Sequence, residues 1–394
     1  MKKILALVVA LVLAVSCFCF AEGNTVKMGV ILLHDEDSTY DLNFLNAVYE
    51  VRDELGIEVI VMKNIPESND CYEAACELAE DGCNVVFADA FGHEPFMLQA
   101  AEEYPDVEFC HATGTMAHTE GLENYHNAFA AIYEGRYLAG VAAGMKLEEM
   151  KAAGKIKGDH PVMGYVGAFT YAEVISGYTS FYLGAKSVCS DVTMKVQFTG
   201  SWYDEMEEKA AAEALIAAGC DLISQHADSM GAPSACENAG IPNVSYNGST
   251  LESCPNTFIV SSRIDWAPYY RYIVKCVAEG TPIAADWTGT IATGSVVLTD
   301  VNTNVAAAGT VEKIAELTAA FVAGELNVFD TATEGFITVN GAALNSYLAD
   351  VDTDAAYTPD TEVVKDGFFH ESEFRSAPYF DVQIDGIELL NAKF

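Results

Sequence analysis

Thr199-Gly200-Ser201-Trp202-Tyr203-Asp204 leads into an Ala- and Glu-rich run, Glu205 to Ala218, and then Gly219-Cys220-Asp221-Leu222-Ile223-Ser224-Gln225-His226-Ala227-Asp228-Ser229. The order of residue types here decides the fold. Asp204 is a good N-cap, and Glu207, three residues on, fits a capping box. Ala211, Ala212, Ala214, Leu215 and Ala218 combine helix propensity with an apolar stripe. Gly219 is a helix stop at C′. Leu222-Ile223-Ser224 is a short apolar strand, and polar residues begin where it ends. Ligands of open parallel sheets lie beyond the carboxyl ends of the strands. Trp202, Tyr203, Gln225, His226 and Asp228 are therefore expected on one edge, as a wall of a small-molecule site.

The unit occurs twice. Glu73 to Phe87 shows the same helix, Gly-Cys-Asx stop and apolar strand, and Gly82 lies 137 residues before Gly219. Met28-Gly29-Val30-Ile31 and Met163-Gly164-Tyr165-Val166 open strand-like runs at nearly the same offset, 135 residues. Two independent features at one spacing predict two related α/β halves.

Composition narrows the ligand. The chain has 394 residues, 51% hydrophobic, and a formal net charge of −38 from 58 acidic and 20 basic residues. Such a surface repels phosphate backbones and argues against nucleic acid. The arginines are Arg52, Arg136, Arg263, Arg271 and Arg375. A strongly anionic ligand usually needs a guanidinium fork or a lysine, so a neutral or cationic one fits better. Met1-Lys2-Lys3 followed by Ile4 to Val15 reads as an export signal, its apolar part too short to span a membrane. Ala14-Val15-Ser16-Cys17 resembles a loose lipobox that would lipidate Cys17; cleavage after Ala21 is the alternative. Without Cys17 and Cys19, nine of the 11 cysteines remain, an odd number. Cys236 and Cys254 are candidates to pair. No CxxC and no Cys/His cluster calls for zinc, and no cofactor is expected.

The strand exits supply the other candidates. Val26 to Leu33 ends at His34-Asp35-Glu36-Asp37-Ser38-Thr39-Tyr40-Asp41, where Asp37 and Tyr40 offer a hydroxyl acceptor and a flat ring. A capped helix start with a solvated acidic loop is the structural alternative. GxGxxG and GxxxxGK are missing, so dinucleotide and P-loop nucleotide binding are unsupported. Asn84 to Asp89 ends at Ala90-Phe91-Gly92-His93-Glu94, and Phe91 is expected to face Asp228 across a gap. Phe169 and Glu173 follow the strand Val162 to Val166, Asn247 follows Asn243 to Tyr246, and Trp266 follows Phe258 to Ser261. Trp202 and Trp266 as core residues, and His226 as a local hydrogen-bonding group, are the competing readings.

Taken in order, these stretches resemble the Bmp (basic membrane protein) family of substrate-binding lipoproteins, which includes purine-nucleoside receptors of ABC importers. The matching residues are Phe109 to Gly114, Tyr133 to Gly140, Met163 to Glu173, Trp202-Tyr203-Asp204, Gln225 to Ser229, Tyr246-Asn247 and Trp266 to Tyr270. The resemblance implies an α/β, two-lobed periplasmic-binding-protein fold of the ribose-binding type (type I), each lobe a parallel sheet flanked by helices. On that basis residues 1–23 are the leader. Residues 25–131 with about 264–300 form one lobe, 132–263 with about 301–349 the other, and 350–394 an acidic, aromatic tail with a surface wrap as its default reading. The family further implies a purine nucleoside or base in the cleft, stacked on Tyr40 and Trp202 and held by Asp37 and Asp228. It also implies a monomer that delivers its ligand to a membrane permease. A sugar receptor of the same fold, a nucleoside hydrolase built on Asp35, Asp37 and His226, and a sensory or adhesive surface protein are the rivals. The chain offers no convincing catalytic set.

Overall fold

The computed structural model describes residues 25–352 and 360–391. The leader, Cys17 and Cys19 lie outside them.

The first lobe is built from β1 (Lys27–Ile31), α1 (Thr39–Leu55), β2 (Glu58–Met62), α2 (Asn69–Glu80), β3 (Val85–Ala88), α3 (Glu94–Glu103), β4 (Glu108–Ala112), α4 (Ala117–Glu120) and β5 (Tyr125–Ala130). The chain crosses at Ala131 into α5 (Ile132–Ala152). The second lobe then runs β6 (Val162–Gly167), α6 (Ala172–Lys186), β7 (Thr193–Phe198), α7 (Glu205–Ala217), β8 (Leu222–Gln225), α8 (Gly231–Ala239), β9 (Asn243–Tyr246) and β10 (Phe258–Ile264). It returns through α9 (Ala267–Glu279), which packs on α1, to β11 (Asp286–Gly289). It crosses a third time to β12 (Val296–Leu298) and α10 (Thr310–Val322), which lies against α5.

The sheet orders display the duplication that the two Gly-Cys-Asx stops announce. From the outer edge the first sheet runs β2-β1-β3-β4-β5-β11 and the second, inside its own edge strand, β7-β6-β8-β9-β10-β12. Every pairing in the first sheet is parallel. In the second, β12 alone runs antiparallel, against β10. Gly82 and Gly219 both close their helices with positive φ, +84° and +91°, the left-handed turn that glycine adopts at low cost.

Local chemistry departs from expectation at one cap. Asp204 does accept from the amides of Met206 and Glu207. The carboxylate that reaches back to the Asp204 amide, at 3.1 Å, belongs to Glu208 and not to Glu207. Glu208 is on the buried face of α7 and Glu207 on the exposed one.

Three corrections concern the chain's second half. Val296–Leu298, expected in the first lobe, is the edge strand of the second sheet because it bonds to β10. The tail is not a surface wrap. After three two-residue ladders (β13 to β18, between Thr338 and Phe369), β19 (Ile387–Leu389) joins β7 in parallel and extends the second sheet. Phe369, Tyr379 and Phe380 are buried in the same core as β6 and β7, so this segment contributes hydrophobic stabilisation. Cys236 and Cys254 do not pair. All nine cysteines of the described residues are free, and burial raises both thiols, Cys254 to about 11.

Helices α5 and α6 meet almost backbone to backbone. A Cβ on Gly140 would run into the Phe181 carbonyl, and one on Gly184 into the Tyr137 carbonyl. This contact seats the first crossing helix against the second lobe.

Candidate functional site

The carboxyl ends of the two sheets face each other, and between them lies a cleft with about 430 Å³ of empty space, open solvent included. Leu33 and His34 after β1, Tyr40 and Asp41 at the start of α1, Ala90 and Phe91 after β3, and Thr113 after β4 line it from the first lobe. Glu173 at the start of α6, Trp202 after β7, His226 and Asp228 after β8, and Tyr246 ending β9 line it from the second. Each lies at or just beyond the carboxyl end of a strand, or on the helix that follows, as an open parallel sheet requires.

Acidic groups dominate the polar walls. Asp228 accepts from Asn247 Nδ2 at 2.9 Å, and its amide donates to the Trp202 carbonyl at 3.0 Å. Burial first, then the charge of Glu208, pushes its carboxyl well above the usual range. Asp41 accepts from the His34 amide at 2.7 Å and the Ser38 hydroxyl at 2.6 Å. Burial works to raise Asp41, but bonds from His34 and Ser38 outweigh it and hold its carboxyl low. Behind it, Asp89 accepts from the Leu33 amide at 3.0 Å and is driven far up by burial and by Asp41. Between the two, burial and hydrogen bonding thus favour the proton on Asp89 and the charge on Asp41. Tyr40 donates to the Asp89 carbonyl at 2.9 Å, which fixes its ring against the wall.

His226 is neutral. Its ring contacts Glu173 Oε1 at 3.4 Å through Nε2 and Tyr165 Oη at 3.3 Å through Nδ1. Burial, reinforced by Arg136, lowers it to about 4. Arg136 is itself buried under the floor. It donates Nη1 to the Gln225 carbonyl at 2.8 Å and lies 3.2 Å from the centroid of the Tyr246 ring. The guanidinium thus supports an aromatic wall through a cation–π contact and does not reach the ligand space.

Of the residues expected at the site, Tyr40, Phe91, Glu173, Trp202, His226 and Asp228 line the cavity together. Phe169 stands behind Trp202, edge-on at 5.0 Å. Asn247 braces Asp228. Gln225 is turned away, its Oε1 accepting from Asn243 at 3.1 Å. Asp37 is exposed in the β1–α1 turn, its amide bonded to Asp35. Trp266 is 1% exposed and stacks on Phe44 at 4.6 Å inside the first lobe's core. The wall residues not singled out in the sequence are Leu33, His34, Asp41, Ala90, Thr113 and Tyr246. Asp41 reads as a helix-start acid and Tyr246 as a strand residue; only their places at strand exits mark them.

Among the described residues one group of metal-ligand type comes together, Glu148, Cys189 and Asp191. Lys151 already sits 2.7 Å from both Asp191 oxygens. Among the described residues no helix is long and apolar enough to cross a membrane.

Residues 30–328 match the family described as ABC transporter substrate-binding protein, PnrA-like. The chain belongs to this Bmp family. A purine-binding protein of Brucella abortus is 34% identical over 225 residues, 57% of this chain and 60% of that protein. A Haloferax volcanii protein named as a candidate ABC transporter glucose-binding protein is also 34% identical, over 58% of this chain and 55% of its own. The chain thus spans less than two thirds of either relative. A solved solute-binding protein of an Aeropyrum pernix ABC transporter superposes with a TM-score of 0.65 at 17% identity, covering 79% of this chain and 94% of that one. The family is one of solute-binding proteins rather than enzymes, and the solved neighbour shows the fold.

Proposed function

We propose that the cleft binds a purine nucleoside or purine base outside the cytoplasm and that the chain hands it to the permease of an ABC importer. One observation carries this reading. The cavity is walled by the rings of Tyr40, Phe91, Trp202 and Tyr246 and by the carboxyls of Asp41, Glu173 and Asp228, with no lysine or arginine among its lining residues. Flat rings suit a planar heterocycle, adding about 0.5–1.5 kcal/mol per well-placed pair beyond area burial. Carboxyl oxygens suit ribose hydroxyls or ring N–H donors as acceptors, and an ionised carboxyl such as Asp41 makes those bonds charge-assisted. A phosphorylated ligand would find no lysine or arginine along these walls to pair with.

Trp202 and Tyr40 stack on the base in this account, Asp228, set by Asn247, accepts from hydroxyls, and Glu173 with His226 reads the remaining polar edge. Both walls come from one chain, in keeping with a monomer. An exported chain tethered through Cys17 fits the leader sequence. The names of the Brucella relative and of a nucleoside-binding relative from Lactococcus lactis, 28% identical over 153 residues, support the ligand class. The Haloferax relative keeps a sugar as the second reading. Calorimetry with inosine, adenosine, guanine and glucose separates them. One-to-one binding of a purine compound and none of glucose is expected; the reverse would replace this reading by the sugar one.

A further inference from the structure

We propose that Phe91 and Tyr171 form an aromatic latch across the mouth of the cleft, so that Tyr171 is a ligand-retaining residue. Phe91 belongs to the first lobe and Tyr171 to the second, yet their rings stack at 5.2 Å and 26°. Both rims are braced. The Phe91 turn is pinned by the His93 amide on the Ala90 carbonyl and by the Gly92 amide on Glu67 at 2.7 Å. Tyr171 precedes α6 in extended backbone, and Phe169 backs its other face at 5.0 Å and 13°. Phe169 in turn meets Trp202, which lines the cavity. A continuous run of ring contacts, stacked at the rim and edge-on at Trp202, thus leads from the outer rim to the ligand wall.

Exposure supports a latch over a core contact. Phe91 is 42% and Tyr171 39% exposed even when stacked. With the lobes apart, neither ring would have its partner, so the contact belongs to the closed state alone. Such a contact biases the open–closed equilibrium and slows ligand escape more than entry. The C-terminal segment shores up the same side. Arg375, Ala377 and Pro378 wall a chamber with Phe91, Thr113 and Tyr171, and the Ser376 amide donates to Asp286 Oδ1 of the first sheet at 3.0 Å. The proposal needs lobe closure and no particular ligand.

The test uses the full chain labelled with 5-fluorotryptophan, which places one fluorine on each of its three tryptophans. In the ligand-free protein, Phe91→Ala and Tyr171→Ala should each shift the Trp202 signal toward the open state. The expected change in population ratio is roughly 2- to 12-fold, the range of an aromatic pair. The double variant should shift it no further than either single one, and Tyr171→Phe should match the wild type, because stacking needs the ring and not the hydroxyl. In Tyr171→Ala, which removes a ring that is not among those lining the cavity, stopped-flow release of inosine should accelerate by the same factor, by more than any change in its association rate. Additive shifts, a Trp202 signal untouched by both substitutions, or a Tyr171→Phe variant as impaired as Tyr171→Ala would overturn the latch. If inosine does not bind at all, the ligand reading fails while the fluorine populations still decide the latch.

Discussion

Trp202, Asp228 and Trp266 were equal candidates by residue type, and their surroundings separate them. Trp202 faces open space and Asp228 keeps a carboxyl in the cleft, whereas Trp266 packs among Phe44, Phe87 and Tyr269. Trp202→Ala should weaken purine binding by about 1–3 kcal/mol in calorimetry, the usual loss at a base-stacking ring. Trp266→Ala should instead lower thermal and denaturant stability by about 3–5 kcal/mol, the cost of emptying a packed aromatic site, and leave the affinity of the folded protein alone. The distinction was illegible in the sequence because both tryptophans follow strands. Which ring turns inward depends on where the following helix packs. His226 is a residue-scale case with a pH signature. Its pKa near 4 lies below the ordinary 6.5, so the unfolded chain binds a proton there before the folded one does. Its neutral form stabilises the fold fully above about pH 6.5, and that stability is lost as pH falls toward 4. Its imidazole carbon-bound proton should show no NMR titration between pH 8 and 5.

At the scale of elements, the turn that carries Trp202 and the turn that carries Asp228 are joined through α7. Glu208 accepts from the Asp204 amide and, at 3.2 and 3.3 Å, from the Ser229 amide. Burial raises it to about 7, so the folded state holds its proton more tightly than the unfolded one. The sign is therefore opposite to that of His226. This contribution is complete below about pH 4.5 and declines as pH rises through 7. Glu208→Gln should flatten that decline in melting temperature between pH 5 and 8. The α5–α6 contact makes a second prediction. Gly184→Ala forces a methyl into the Tyr137 carbonyl and should destabilise the protein by about 1–3 kcal/mol or more, as overpacking does, read by urea unfolding. Helix starts, glycine stops and strand cores were legible at this scale, since caps and periodicity are local physics. The partner of the Asp204 cap was not, because it depends on which face of α7 is buried.

For the molecule as a whole, the repeated Gly-Cys-Asx stop at residues 82 and 219 predicted two like-built sheets, and the matching strand orders display them. The third crossing and the tail depart from the sequence expectation for one reason. β12 and β19 are three-residue strands whose pairing is set by distant neighbours, β10 and β7, and so short a run carries no periodicity. Cleft walls at strand exits were foreseen; the supporting Arg136–Tyr246 floor and the Asp41–Asp89 pair were not, since each joins residues distant in sequence. Two lobes meeting over one uncharged heterocycle is the central claim, and nuclear Overhauser contacts in the inosine complex test it most directly. The account predicts contacts between the purine ring protons and both the Trp202 indole and the Tyr40 ring, one from each lobe. A bound purine whose contacts reach neither ring, or only residues outside the cleft, would contradict it.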